Sequence, residues 1–483
     1  MPNEPPRTPS PTPPRPSRRT ADRADPTAGV VGAPIPAMPG GLPLLGHSLQ
    51  LRSRPLEFVR ELRRHGDIVA FRLGTRDAYA VNHPALIHQM LVDDAQHFVK
   101  GRMFEKGRMV ARNGLFTSEG DFHLRQRRLI QPLLRRAHIK RYTATMSRIA
   151  GERVETWNDA QRIRMDRELF DLTLETVTRV LFSTRLGAHG TAAVQRSLPV
   201  LLEGLGRRAL SPVDLPATLP TVMNYRFARA RARMRAVIEA VIADRRSRSS
   251  GPDDLLGALL AARDEETGEG MSDEQVYDEV VTLLIAGTET TAGALSWACH
   301  LLSRHPDVQR RLQDELDTLP DGRDIGFDDF GQLPYLHQVI DETLRLHPST
   351  WMLMRSPTAD VTLGGRTLPA GSIVLFSLHA LHRDPSLFAH PDVFDPDRWA
   401  PTRAGQLRTD AYLPFGAGVR GCAGEQFARA EMAVILGVVL RRRTLRPVSD
   451  RPVKPVVRLI PMPGPMPLTV HRRSRAGGAG ADQ

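Results

Sequence analysis

The sequence predicts a mainly α-helical protein with small β-sheets (α+β), with most of its 483 residues in one large domain. Three observations predict this. Helical periodicity dominates residues 123–141, 145–185, 225–247, 272–304, 332–347 and 423–443. Strand signals are confined to short runs set off by glycine and proline. No second linker and no internal repeat divides the chain after residue 40, although its length alone suggests about three domains.

In chain order, residues 1–40 hold twelve prolines between Pro2 and Pro39, interleaved with Ser, Thr, Arg and Ala. Such a segment cannot bury enough apolar surface to offset its ordering entropy, which predicts a disordered tail of polyproline II character. The run from Pro36 to Gly46 is a rigid entry into a folded domain expected over 41–472, with a flexible tail at 473–483. Ile68–Leu73 and Ala78–Val81 alternate about Gly74-Thr75 and predict a hairpin. Val361–Leu363, Thr367–Leu368 and Ile373–Phe376 predict further short strands. Ser272-Asp273-Glu274-Gln275 is a capping-box start, followed by Val276, Val280, Leu283, Leu284, Gly287, Thr291 and Leu295 along one helical face.

Composition excludes several classes. With 41% apolar and 25% charged residues and no apolar run near 18, the chain can build a core but no membrane-spanning helix. The net charge of +12 comes almost wholly from arginine, since there are only four lysines (Lys100, Lys106, Lys140, Lys454). The arginines are spread without a stripe or nucleic-acid motif, so no nucleic-acid partner is predicted. Cys299 and Cys422 cannot form a disulfide framework, and the N-terminus lacks an apolar export stretch. A cytoplasmic protein is expected.

Cys299 sits in an apolar helix and is expected to be a core residue. Cys422 differs. In Phe415-Gly416-Ala417-Gly418-Val419-Arg420-Gly421-Cys422-Ala423-Gly424, glycines let the backbone turn tightly around a sulfur. The positive end of the following helix is expected to favour a thiolate. With no second Cys or His at zinc spacing, this is a poor zinc site but a plausible single thiolate ligand for haem iron. Phe415-x-x-Gly418-x-Arg420-x-Cys422-x-Gly424 resembles the haem-binding signature of the cytochrome P450 superfamily at every defined position.

Other segments resemble that family in the same order. Ala286-Gly287-Thr288-Glu289-Thr290-Thr291 places poor helix formers in mid-helix and resembles the oxygen-activation motif. The resemblance implies that Gly287 opens space beside dioxygen while Glu289 and Thr290 relay protons. Taken alone, the threonines could simply bond the preceding turn. Glu342 and Arg345, at i and i+3, with Arg398 resemble the family's buried structural trio. His123 stands at the Trp of a W-x-x-x-R pattern whose Arg is Arg127, and these two with Arg355 and Arg420 are expected to hold the haem propionates.

The resemblance therefore implies a single large haem domain of cytochrome P450 fold, binding haem b. Cys422 would be the iron ligand, Phe415 and Gly424 would flank it, and the reaction would insert one oxygen atom from O2 into a small apolar substrate. A fused flavin or ferredoxin module is not expected, so a separate ferredoxin and ferredoxin reductase are the expected electron donors, steered by Arg125, Arg128, Arg135, Arg136 and Arg429. Apart from electron-partner steering, Arg125 and Arg128 are expected to be solvated. Pocket residues expected by position are Met103, Phe104, Leu115, Phe116, Leu283, Ala286, Trp351, Met352 and Met462, largely apolar, with Arg102, Arg108 and Arg112 able to hold a carboxylate. Gly41–His47, Arg127–Pro132 and Trp351 resemble bacterial terpene-oxidising members, implying hydroxylation or oxidation of a cyclic sesquiterpene of pentalenene type in secondary metabolism. A fatty-acid or polyketide hydroxylase, and a haem-binding sensor or carrier without turnover, remain open from the sequence.

Overall fold

The capping box at Ser272 opens a helix spanning Asp273–Arg304, about 48 Å long, around which the rest is packed. The Gln275 amide donates to Ser272 Oγ at 3.2 Å, and the Ser272 amide donates to the Gln275 side chain at 2.9 Å. The helix is buried on nearly every side, Tyr277, Glu279 and Val281 as well as Val276 and Val280, so the single apolar face read from the sequence is too narrow. Helices Met165–Phe182, Val222–Ser247, Pro334–Leu346 and Glu425–Arg442 lie against it. Cys299 is core, its thiol pushed up to about 12 by burial.

This computed structural model describes residues 34–183, 187–209, 219–247, 254–320, 323, 325–457 and 460–473. Two of the long helical periods are divided in it. Helix Gly120–Ile130 stops at a short 3-10 turn containing Pro132, whose missing N–H cannot continue the ladder, and a new helix spans Arg136–Glu155. Within 145–185, the strand Gln161–Arg164 intervenes, pairing Ile163 with Leu468 of the strand Pro467–Arg472. That partner is some three hundred residues away, so no local period announces it.

The strands fall beside the helical body. Ile68–Leu73 and Arg76–Val81 form the expected hairpin. Arg76–Val81 then pairs in parallel with Ile373–Phe376, which continues antiparallel to Leu353–Pro357 and on to Phe98–Val99. This five-stranded sheet encloses a core of Met38, Phe58, Phe71, Trp351, Met352 and Leu375. Val361–Leu363 and Arg366–Leu368 turn about Gly364 and Gly365, both at positive φ.

The entry differs from the expected boundary. The Pro36 carbonyl accepts from the Ala70 amide and the Met38 amide donates to the Ala70 carbonyl, both at 2.8 Å, and Met38 is buried. The fold therefore begins before Gly41, because edge pairing to the hairpin overrides the proline-rich composition. At the other end, Arg473 pairs with Asp317; the remaining tails, 1–33 and 474–483, lie outside the described residues. Among the described residues no helix is long and apolar enough to cross a membrane.

Candidate active site

The cysteine loop is shaped by left-handed glycines. Gly416 and Gly418 have φ of 71° and 67°, and a Cβ on Gly418 would collide with the Leu91 carbonyl, so the loop lies directly on the turn Gln89–Asp93. The Cys422 amide donates to the Phe415 carbonyl at 2.8 Å and closes the loop ahead of helix Glu425–Arg442. The Arg429 guanidinium lies 5.1 Å from the Phe415 ring centre. The side chain of Cys422 is accessible, yet burial pushes its thiol up; the Gly424 N–H and Arg127 pull the other way and do not prevail. A metal bound at this sulfur would deprotonate it outright, so the expected thiolate does not rest on the helix end alone.

A buried cationic cluster borders the loop. Arg127 donates to the Val419 carbonyl at 2.9 Å and the Gly421 carbonyl at 2.7 Å. His123 Nδ1 lies 3.1 Å from the Leu115 carbonyl and Nε2 3.5 Å from that of Val419. Burial first, then Arg420 and Lys100, lower its pKa to about 4, so the ring is neutral at pH 7. Arg420 donates to the Ser118 carbonyl at 2.8 Å and pairs with Glu119. Arg355 is 6% exposed and its pKa is lowered to about 10 by burial and by Arg420.

Lys100 belongs to this cluster and was not singled out from the sequence. Its amide donates to Glu119 at 2.7 Å and its Nζ to the Leu115 and Phe116 carbonyls at 3.0 and 2.6 Å. Burial, and next Arg420, lower its pKa to about 7. Its rarity, one lysine of four, was the available signal. A lone soft sulfur donor in a loop bordered by Lys100, Arg355 and Arg420, with Glu119 pairing Arg420 and accepting from the Lys100 amide, fits haem, which needs one such ligand and cationic partners for two carboxylates.

On the long helix, Leu283, Ala286 and Thr290 are accessible in a stretch whose flanks are buried, and their i, i+3, i+7 spacing puts them on one face. Glu289 is half-buried beside them. Thr288 donates to the Leu284 carbonyl at 2.7 Å and Thr290 to that of Ala286 at 2.5 Å, so both hydroxyls bond the preceding turn. Ser349 Oγ donates to the Thr290 carbonyl at 2.9 Å. A Cβ on Gly287 would lie 3.0 Å from Val177 Cγ2, so the missing side chain lets helix Met165–Phe182 pack closely.

A second residue missed from the sequence is Glu431, fully buried on helix Glu425–Arg442 opposite Thr291, with its carboxyl raised well above the usual range by burial. It interrupts an otherwise apolar run, the one cue the sequence offered.

The structure brings Glu342, Arg345 and Arg398 together. Arg345 donates to both Glu342 oxygens at 2.8 Å, and Arg398 Nε lies 3.4 Å from the same carboxylate. Trp399 Nε1 and the Asp395 amide complete its shell, each at 3.0 Å. The remaining guanidinium donors reach the carbonyls of His382, Pro391 and Val393.

The expected pocket residues separate. The Phe104 and Phe116 rings meet at a tilt of 56° with centres 5.0 Å apart. Met462 packs on Gly293 of the long helix, where a Cβ would meet its sulfur at 2.8 Å. Trp351 and Met352 are instead packed in the small-sheet core, and the Ser377 hydroxyl donates to the Trp351 carbonyl at 2.8 Å. The Met103 and Arg102 side chains lie outside the described residues. Arg112 is engaged with Glu274 at 3.3 Å. Arg128 pairs with the buried Asp264 at 3.0 Å and Arg125 donates to the Gly270 carbonyl at 2.9 Å, so neither is simply solvated. Arg429 is held by Asp341 at 2.6 Å. These ties leave Arg135 and Arg136 as the exposed members of the expected docking set.

A family model described as Cytochrome P450 matches residues 36–465. The chain is 42% identical over 436 residues to cyclooctatin synthase of Streptomyces melanosporofaciens, spanning 90% of this chain and 95% of that protein. It is 39% identical over 435 residues to cyclooctat-9-en-7-ol 5-monooxygenase of the same organism, with 90% and 95% covered. Pentalenene oxygenase of Streptomyces avermitilis is 37% identical over 418 residues, with 86% and 93% covered. Among solved structures, a cytochrome P450DA heme domain superposes with a TM-score of 0.83 at 28% identity, covering 92% of this chain and 98% of that one.

Proposed function

This chain belongs to the cytochrome P450 family and is a haem-dependent monooxygenase, and from that premise we propose that it binds haem b and hydroxylates a cyclic terpene skeleton in the cytoplasm. The observation that carries the substrate reading is the accessible stripe Leu283, Ala286 and Thr290, apolar but for one hydroxyl, on the helix that holds the apolar Leu115–Phe116 segment through the Leu115 amide. It is supported by relatives whose names specify cyclooctat-9-en-7-ol and pentalenene.

Bound haem supplies the oxygen chemistry, using two electrons, two protons and O2 to place one oxygen atom into a C–H bond. Cys422 would hold the iron, with Phe415 and Gly424 shaping its surroundings. His123, Arg127, Arg355, Arg420 and Lys100 would hold the propionates. Glu289 and Thr290 deliver protons, Thr290 by exchanging its bond to the Ala286 carbonyl for one into the opening. Electrons come from a redox partner, here a ferredoxin with its reductase, docking near Arg135 and Arg136.

The test is a spin-state titration of the ferric holoprotein with pentalenene, cyclooctat-9-en-7-ol and a long-chain fatty acid. A low-to-high-spin shift with a terpenoid supports the reading, and a shift with the fatty acid alone overturns it. In Thr290→Ala, reducing equivalents should still be consumed while product per electron falls about 100-fold. Coupling unchanged from wild type would remove Thr290 from proton delivery.

A further inference from the structure

The helix face that carries the accessible Leu283, Ala286 and Thr290 continues one turn toward the helix N-terminus, where it becomes buried. Counting back from Thr290 through Ala286 and Leu283, the next position on that face is Glu279. It is 1% exposed. Its Oε2 accepts from the Leu115 amide at 2.9 Å, in the segment that carries the apolar pocket side chains Leu115 and Phe116. No described donor reaches its other oxygen. Lys100 is an electrostatic neighbour, but its Nζ bonds to the Leu115 and Phe116 carbonyls. Burial pushes the Glu279 carboxyl up to about 8, so at neutral pH it carries a proton and can both donate and accept.

A buried carboxyl at the end of an apolar surface is costly unless a polar group meets it. We propose that Glu279 hydrogen-bonds a hydroxyl already present on the substrate, so that this enzyme acts on an oxygenated cyclic terpenoid alcohol rather than on the parent hydrocarbon. The inference rests on the terpene reading above and specifies it. A site built to bond a hydroxyl discriminates against the analogue that lacks one, because its own polar group is then left unpaired. It also places the enzyme in a sequence: a prior oxidation, or a water-quenched cyclisation, must supply the alcohol.

The test uses the ferric holoprotein, cyclooctat-9-en-7-ol and the same skeleton without its hydroxyl, comparing the two dissociation constants by spin-state shift. Wild type should bind the alcohol at least about tenfold more tightly. Glu279→Gln, which still accepts from Leu115 and can donate, should keep most of that preference. Glu279→Leu should lose it while binding the deoxy skeleton at least as well. Equal affinities in wild type overturn the inference and leave the terpene reading standing. A preference retained in Glu279→Leu also overturns it, and shows that Glu279 only anchors Leu115. If Glu279→Leu does not take up haem, the wild-type ratio and the Gln variant decide. A shift with neither terpenoid overturns the substrate reading and this inference together.

Discussion

Cys422→Ser is expected to remove the long-wavelength Soret band of the reduced, CO-bound protein and to abolish hydroxylation. The surrounding chain shows why no other group can substitute. The loop bonds Cys422 N to the Phe415 carbonyl, Gly418 lies on the Leu91 carbonyl, and Arg127 holds the Val419 and Gly421 carbonyls, so the sulfur's position is fixed by backbone. The only other cysteine, Cys299, is buried in the long helix and inert. Loss of a supporting partner at a metal site typically costs about 10–100-fold, and loss of the ligand itself should exceed that. Because Ser is nearly isosteric and the loop does not depend on the thiol, circular dichroism should stay close to wild type. A variant that keeps both the thiolate spectrum and turnover would show that Cys422 is not the ligand.

Arg345→Ala is expected to yield little haem-loaded protein. Arg345 is fully buried, saturates Glu342 from one side and joins the helix Pro334–Leu346 to three carbonyls of the 382–393 segment. Removing it leaves Glu342 as a buried charge held only by Arg398, Trp399 and the Asp395 amide. Breaking such a pair costs about 3–5 kcal/mol, a large share of the roughly 5–15 kcal/mol that holds a domain folded. Thermal denaturation and the haem-to-protein absorbance ratio measure it. The double variant Glu342→Gln, Arg345→Met should recover part of the loss, since it removes the stranded charge. A stable, fully loaded Arg345→Ala protein would show that the trio does not maintain the fold.

What the sequence determined by itself lies in short spacings. The glycines around Cys422, the capping box at Ser272 and the i, i+3 pair Glu342 and Arg345 are set by local backbone geometry, which neighbouring residues encode directly. Family membership and the monooxygenase class follow from those spacings because each motif carries its chemistry within a few residues. What only the tertiary structure decided depends on partners far along the chain. Gln161–Arg164 is a strand because Pro467–Arg472 lies beside it, and the missing side chain of Gly287 lets Val177 pack against the long helix. Arg128 and Arg429 are tied down by Asp264 and Asp341. Lys100, Glu279 and Glu431 matter because folding buries them, and burial is the largest cause of the shifted proton affinity of each.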